Sequence, residues 1–150
     1  VKLTNIVVKT GMVTYGSTVA EAFTECVRCN VPGIPFVDSE GRIVGRFSIR
    51  NTIKLTCIPD FMISGADLLG DHLAPLMVPE RHAAKVLTLP VDRFIVDEVV
   101  FVHSDSPYVK MAALMERHNT GYLFVLDGDR YKGIVTVQGL ARRMLEIGER

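Results

Sequence analysis

Little in the sequence marks an enzyme, a membrane protein or a nucleic-acid binder. Positive and negative side chains balance, 17 Lys plus Arg against 17 Asp plus Glu. No net field therefore draws the chain to a nucleic-acid backbone or an anionic membrane. The longest apolar stretches, such as residues 95–102 with Asp97 and Glu98 inside them, are far shorter than the roughly 20 residues of a bilayer-spanning helix. Only Cys26, Cys29 and Cys57 are present, too few for a disulfide framework, so the reducing cytoplasm is the expected location. The N-terminus has no secretory h-region, and a start at Val1 reads as a processed chain or one excised from something longer.

Catalytic signatures are equally sparse. There is no GxSxG elbow and no Walker loop, and His72, His82, His103 and His118 fall at no metal-ligand spacing. Cys26-Val27-Arg28-Cys29 is a CxxC, but it stands alone inside a helical pattern without a second pair, which favours structural cysteines over a zinc or redox site. The chain reads as non-catalytic, with no catalytic cofactor and no metal.

What is present is a core-forming composition, 48% hydrophobic and 23% charged, and an internal repeat. An offset of 88 residues places Gly33 on Gly121, Phe36 on Phe124, Val37 on Val125, Arg42 on Arg130, Gly45 on Gly133 and Ser48 on Thr136. Upstream, a one-residue shift is needed to align Gly16-Ser17-Thr18 with Asp105-Ser106-Pro107. Each copy shows a short β-rich run, then a helix behind a capping residue, Ser17 or Thr18 in the first and Ser106 in the second. Val19, Ala22, Phe23, Cys26 and Val27 form one helical face, and Met111, Leu114 and Met115 the other, with Asn30 and Asn119 near the helix ends. A β-hairpin follows in each copy, then a last helix from Ser48 or Thr136. The expectation is an α/β (α+β) chain of two β-α-β-β-α repeats, residues 1–56 and 91–150, separated by a helical insertion, residues 57–90. Leu68, Leu69, Leu73 and Leu76 predict an amphipathic helix after Ser64, serving either as a packed connector or as an oligomer or partner surface.

Ser48 and Thr136 stand where a strand gives way to a helix. A hydroxyl there caps the first turn, and the same terminus, with free N–H groups and the positive end of the helix dipole, attracts phosphate. Both roles are compatible. Asn51 lies just under one turn beyond Ser48, so a carboxamide able to meet a ribose diol stands beside a hydroxyl able to meet phosphate. Arg46, Arg50 and Lys54 surround this first copy, as Lys132, Arg142 and Arg143 surround the second.

Gly33-Ile34-Pro35-Phe36-Val37-Asp38, Gly45-Arg46-Phe47-Ser48-Ile49-Arg50-Asn51 and Gly133-Ile134-Val135-Thr136 resemble the paired cystathionine-β-synthase (CBS) domain, or Bateman module. The resemblance implies two pseudo-twofold-related repeats that dimerise and act as a regulatory sensor of AMP, ADP, ATP or S-adenosylmethionine for an unidentified regulated protein. It implies composite clefts: Ser48 and Asn51 with Asn119, Thr120 and the backbone of residues 95–100 on one side, Thr136 and Ile134 with Val31, Pro32 and residues 6–11 on the other. In the family pattern Gly-h-x-Ser/Thr-x-x-Asp, the Asp clamps ribose. Here it is Asn51 in the first copy and Gly139, without a side chain, in the second, so one cleft is expected to retain its clamp. Two functions stay open: an adenosyl-ligand sensor, supported by Ser48 with Asn51, and a ligand-free dimerisation or protein-interaction module, supported by Gly139.

Overall fold

A computed structural model describes residues 6–71 and 83–149. The first repeat runs β1 (Val13–Thr14), α1 (Val19–Cys29), β2 (Gly33–Val37), β3 (Ile43–Ser48) and α2 (Ile49–Cys57). Its counterpart runs β4 (Phe101–Val102), α5 (Tyr108–Arg117), β5 (Tyr122–Asp127), β6 (Arg130–Thr136) and α6 (Val137–Gly148). The two sheets have the orders β1-β2-β3 and β4-β5-β6, with the first pair parallel and the second antiparallel in each. The β-α-β-β-α order expected from the sequence is therefore the order observed.

The repeats are joined by exchange of their leading segments. Val8, ahead of the first repeat, bridges to Ile134 on β6, with N–H to carbonyl distances of 2.8 and 2.9 Å. Val96, ahead of the second, bridges to Arg46 on β3 with 2.9 Å in both directions. Adding 88 to Val8 and Arg46 gives Val96 and Ile134, so the two bridges interchange as a twofold relation between repeats requires. Each leader also carries a hydrophobic anchor across. Ile6 is buried with Val102, Met111, Leu123, Val135 and Leu140 of the second repeat. Phe94 and Val91 join Val19, Cys26, Ile34 and Phe47 of the first.

This exchange explains two glycines. A Cβ on Gly133, whose φ is +145°, would stand 2.3 Å from the Val8 carbonyl oxygen. On Gly45 it would meet the Val96 carbonyl oxygen at 3.0 Å and the Ile95 side chain at 2.6 Å. The backbone admitted at these positions is the other repeat's leader.

Local chemistry sets the helix ends. Thr18, rather than Ser17, caps α1 by accepting the Glu21 N–H, and Asn30 closes it in the left-handed region at φ 55°. Ser17 instead accepts the Thr14 N–H within the preceding turn. The expected cap at Ser106 does not form: its hydroxyl accepts the His103 N–H at 2.9 Å, and Pro107 occupies the N-cap of α5 without a side-chain bond. Ser17 and Ser106 thus play the same turn role, one residue off the main offset. Val19, Ala22 and Cys26 are buried on α1, whereas Val27 is 75% exposed and lies outside the core stripe.

In the insertion, α3 (Asp60–Ser64) ends at Gly65 and a 3₁₀ turn follows at Ala66–Leu68. The helix expected after Ser64 is absent over residues 65–71, where Gly65 and Gly70 disfavour helix continuation and Leu68 is 90% exposed. Leu73 and Leu76 lie outside the described residues. The chain resumes with α4 (Ala83–Leu87) and a 3₁₀ turn at Val91–Phe94. The latter is bound to the start of α1 by Val19 N–H to Leu89 carbonyl and Val91 N–H to Ser17 carbonyl bonds, each 2.8 Å.

Gly133→Ala should cost about 2–3 kcal/mol, because it combines a positive φ with displacement of the Val8 backbone. Gly121→Ala, with only a 4.0 Å contact to receive the new methyl, should stay within about 0.5 kcal/mol of the parent. Chemical denaturation of both variants tests the exchange; equal stabilities would contradict it.

Candidate functional site

The strand-to-helix turns of the two repeats are built alike. Ser48 Oγ accepts the Asn51 N–H at 3.2 Å and Thr136 Oγ1 accepts the Gly139 N–H at 3.1 Å, so both hydroxyls cap their helices. The turns are fastened to the sheets by Ile49 N–H to Pro32 carbonyl and Val137 N–H to Gly121 carbonyl bonds. Ser48 is 7% exposed, set at the seam between repeats.

Asn51 Nδ2 donates to the Phe94 carbonyl at 3.0 Å. That contact accounts for the amide where the family pattern has Asp: a carboxylate would oppose one acceptor with another, while the amide satisfies the carbonyl and keeps its own Oδ1 free to accept a hydroxyl. In the second repeat Gly139 is buried against Ile6, which occupies the place of Phe94 at the offset of 88. A Cβ there would be 3.5 Å from both the Ile6 carbonyl oxygen and Thr136 Oγ1.

Arg46 and Ser48 are two apart on β3 and share one face. The Arg46 guanidinium crosses the seam. Its Nε donates to the Glu98 carbonyl at 3.0 Å, its Nη1 to Tyr122 Oη at 2.6 Å, and its central carbon lies 5.5 Å from the Tyr122 ring centre. Burial raises the Tyr122 phenol above its ordinary pKa, opposed by the Arg46 charge and hydrogen bond and by the Ser48 hydroxyl. Glu98 Oε1 in turn meets His118 Nδ1 at 3.0 Å. Arg46, Glu98, Val100, Thr120, Tyr122, Leu123 and Phe124 line a crevice of only about 10 Å³, room for about one water.

The structure thus brings Arg46 and Thr120 to one crevice; Ser48 stands two residues from Arg46 on the same strand face, and Asn51 reaches the second repeat's leader at Phe94 rather than lining the crevice. Thr120 also turns inward, its hydroxyl donating to the Tyr122 carbonyl at 3.2 Å, beside Asn119 at φ 49°. Arg50 is exposed on the first turn of α2. On the reciprocal side Ile134 is fully buried and both its backbone groups pair with Val8, while Val31 is buried and donates its N–H to the Cys26 carbonyl. Pro32 is exposed, but its carbonyl is held by Ile49.

The first leader is latched by polar contacts on this reciprocal side. Thr10 Oγ1 meets Tyr131 Oη at 2.5 Å, the Gly11 N–H donates to the Glu25 carboxylate, and the Cys29 thiol donates to the Lys9 carbonyl at 3.5 Å. The Arg28 hydrogen bond and the Gly11 N–H hold the Glu25 carboxyl down to about 2. Burial pushes the Cys26 thiol up to about 12, and burial with the Glu25 carboxylate raises Cys29. Neither cysteine is poised as a thiolate, and both serve packing.

Tyr122 and Phe94 were not singled out from the sequence, and Glu98 only within the backbone of residues 95–100. A signal for Tyr122 exists: at the offset of 88, Arg46 falls on Ile134 and Tyr122 on Ile34. These two polarity mismatches between copies are in contact with each other, whereas Ile34 and Ile134 are both fully buried in one core. A larger cavity, about 690 Å³, opens beside the insertion between Leu55, Ile58, Lys85, Val86, Arg93 and Phe94. None of the predicted site residues lines it.

A CBS domain family model matches residues 91–146. Similar solved structures include a CBS domain-containing protein of unknown function from Kribbella flavida, at TM-score 0.67 and 17% identity over 96% of this chain and 99% of that one. The CBS domain pair of the protein MJ0100, in complex with 5′-methylthioadenosine and S-adenosylmethionine, aligns at TM-score 0.60 and 20% identity over 100% and 98%. A Methanocaldococcus jannaschii protein described as an archaeal homologue of γ-AMPK aligns at TM-score 0.65 and 21% identity, over 93% of this chain and 45% of that one. No curated protein matches the sequence. Among the described residues no helix is long and apolar enough to cross a membrane, and no group of three or more potential metal ligands assembles.

Asn51→Asp should lower stability by about 1–3 kcal/mol at neutral pH by facing the Phe94 carbonyl with an acceptor. The introduced carboxyl has its pKa raised in the folded state, so the deficit should shrink as pH falls through that value, where the protonated acid donates to Phe94. Denaturation midpoints of parent and variant across acidic pH check this; a deficit independent of pH would contradict the assigned contact.

Proposed function

Taking as premise that the chain is a tandem pair of CBS repeats, we propose that it is a non-catalytic regulatory module that senses an adenosyl ligand in the cleft shared by the two repeats. The observation that carries this reading is the exchange at Ser48–Asn51: the helix start able to meet phosphate and ribose belongs to one repeat, and the Phe94–Glu98 backbone facing it leads into the other. A ligand seated there touches both repeats at once. Because the crevice holds only about 10 Å³, ligand must bind better to a more open arrangement, and that difference in affinity is what shifts the packing of repeats.

In this reading Ser48, Arg46 and Arg50 receive phosphate, Asn51 Oδ1 accepts from ribose, and Asn119, Thr120 and residues 95–100 flank the base. The reciprocal side, with Thr136, Ile134, Val31 and Pro32, lacks a clamp at Gly139. The chain divides as residues 1–56, 57–90 and 91–150, works as a homodimer in the cytoplasm, and passes its state to a regulated protein. AMP, ADP, ATP and S-adenosylmethionine are the candidate ligands, and the complex of the structurally similar MJ0100 pair supports the adenosyl class. A second reading, a ligand-free dimerisation or interaction module, is favoured by Arg46 and Tyr122 filling the crevice and by Gly139.

Isothermal titration of the folded chain with AMP, ADP, ATP and S-adenosylmethionine separates the two. The sensor reading predicts micromolar binding of at least one ligand at about one per chain, from the single clamped cleft. Absence of binding by all four would leave the interaction module.

A further inference from the structure

The two clefts differ at the seam in one paired way. At the offset of 88, the Arg46 and Tyr122 of the first cleft are Ile134 and Ile34 in the second. Ile34 and Ile134 are fully buried apolar side chains, and the polar contacts of their side fall farther along the leader, at Thr10 and Gly11. Arg46 and Tyr122 close theirs by a hydrogen bond of 2.6 Å between repeats, with Tyr122 Oη reaching over Gly33, where a Cβ would stand 2.5 Å away. A glycine at 33 is what lets the phenol of the second repeat enter the first.

We propose that Arg46 and Tyr122 form a latch across the ligand cleft, and that an anionic group on the ligand opens it by taking the Arg46 guanidinium from the tyrosine. The proposal rests on the sensor reading above and adds how the cleft opens and which ligands open it. Among the described residues Arg46 binds neutral acceptors, the Glu98 carbonyl and the Tyr122 hydroxyl. A phosphate offers the same guanidinium a charged, bidentate partner, and such bonds are shorter and about twice as strong as neutral ones. Ser48, on the same strand face, and the N-terminus of α2 add attraction for the same charge. Among the described residues that line the crevice Glu98 is the one acidic side chain, and its carboxylate is turned to His118. Nucleoside phosphates therefore gain from the exchange, while adenosine and 5′-methylthioadenosine, which carry no anionic group, gain nothing from a guanidinium. Opening separates Tyr122 from Arg46 and loosens the Arg46–Val96 bridge beside it.

Two conservative variants divide gate from key. Tyr122→Phe keeps the buried ring and removes only the oxygen that accepts from Arg46; Arg46→Ile installs the residue of the other copy. Titrations use AMP and adenosine, with amide hydrogen exchange of Arg46 and Val96 followed without ligand. Tyr122→Phe should tighten AMP and adenosine alike, by about tenfold, and should speed exchange at both amides. Arg46→Ile should bring AMP and adenosine to within about threefold of each other, where the parent prefers AMP by about tenfold or more. Unchanged affinities and exchange in Tyr122→Phe would overturn the latch while AMP binding by the parent upholds the sensor. An AMP preference kept by Arg46→Ile would overturn the role of the guanidinium. If exchange accelerates but neither AMP nor adenosine binds any of the three proteins, the sensor reading fails and ligand-driven opening fails with it, leaving a purely structural contact.

Discussion

Unpaired backbone at the edge of a three-stranded sheet has to be satisfied, and here each repeat satisfies the other. The outer edges of β3 and β6 are met by Val96 and Val8, segments that precede the opposite repeats in the chain. An exposed edge is a template for wrong pairing, and buried N–H and carbonyl groups are costly without partners. Crossing the leaders solves both problems, and it carries Ile6 and Phe94 into cores that would otherwise lack a wall. Much else depends on that crossing. Gly45 and Gly133 admit the leader backbone, Asn51 holds the Phe94 carbonyl, and the helix starts at Ser48 and Thr136 face chain from the other half.

The same constraint makes the seam a natural place for regulation. A ligand, a side chain or a backbone carbonyl that sits there is shared between repeats, so any change of occupant is felt in both. Duplication supplies two equivalent seams, and substitution then makes them different. One has Ile34 and Ile134 buried at its centre, with its polar contacts on the leader at Thr10 and Gly11; the other carries Arg46, Tyr122 and Asn51 at that place, whose bonds run to groups of the opposite half. Polar closure is reversible in a way that apolar closure is not, because a competing anion can replace a phenol but nothing in water competes for a buried isoleucine.

Much of the fold was legible because its signals are local. The hairpins, the capping hydroxyls and the offset of 88 are each written within a few residues, and Asn30 and Asn119 mark helix ends through their tolerance of positive φ. The crossing was not legible in the residues' own pattern; only the resemblance set residues 95–100 beside Ser48 and residues 6–11 beside Thr136 and Ile134. Val8 and Val96 are single bridges in irregular chain, with no periodicity to reveal a partner more than 40 residues away. Ser106 misled because a hydroxyl ahead of a helix serves a turn as readily as a cap. The leucines after Ser64 misled because their spacing outweighed Gly65 and Gly70. For the site, residue types at Ser48 and Asn51 could be read, but the Phe94 carbonyl that explains Asn51, and the tyrosine that fills the crevice, come from tertiary placement. Comparison of the copies held one unused clue: two non-matching polar positions, Arg46 and Tyr122, turn out to be partners.

The most direct test of the account is a crystal structure of the chain grown with AMP. The account predicts the nucleotide between Ser48–Asn51 and residues 95–100, its phosphate on Arg46, and Tyr122 Oη moved beyond hydrogen-bond reach, more than about 3.5 Å from the guanidinium. A nucleotide in the larger cavity beside Leu55 and Lys85, or Arg46 still bonded to Tyr122 over a closed crevice at saturating AMP, would contradict it.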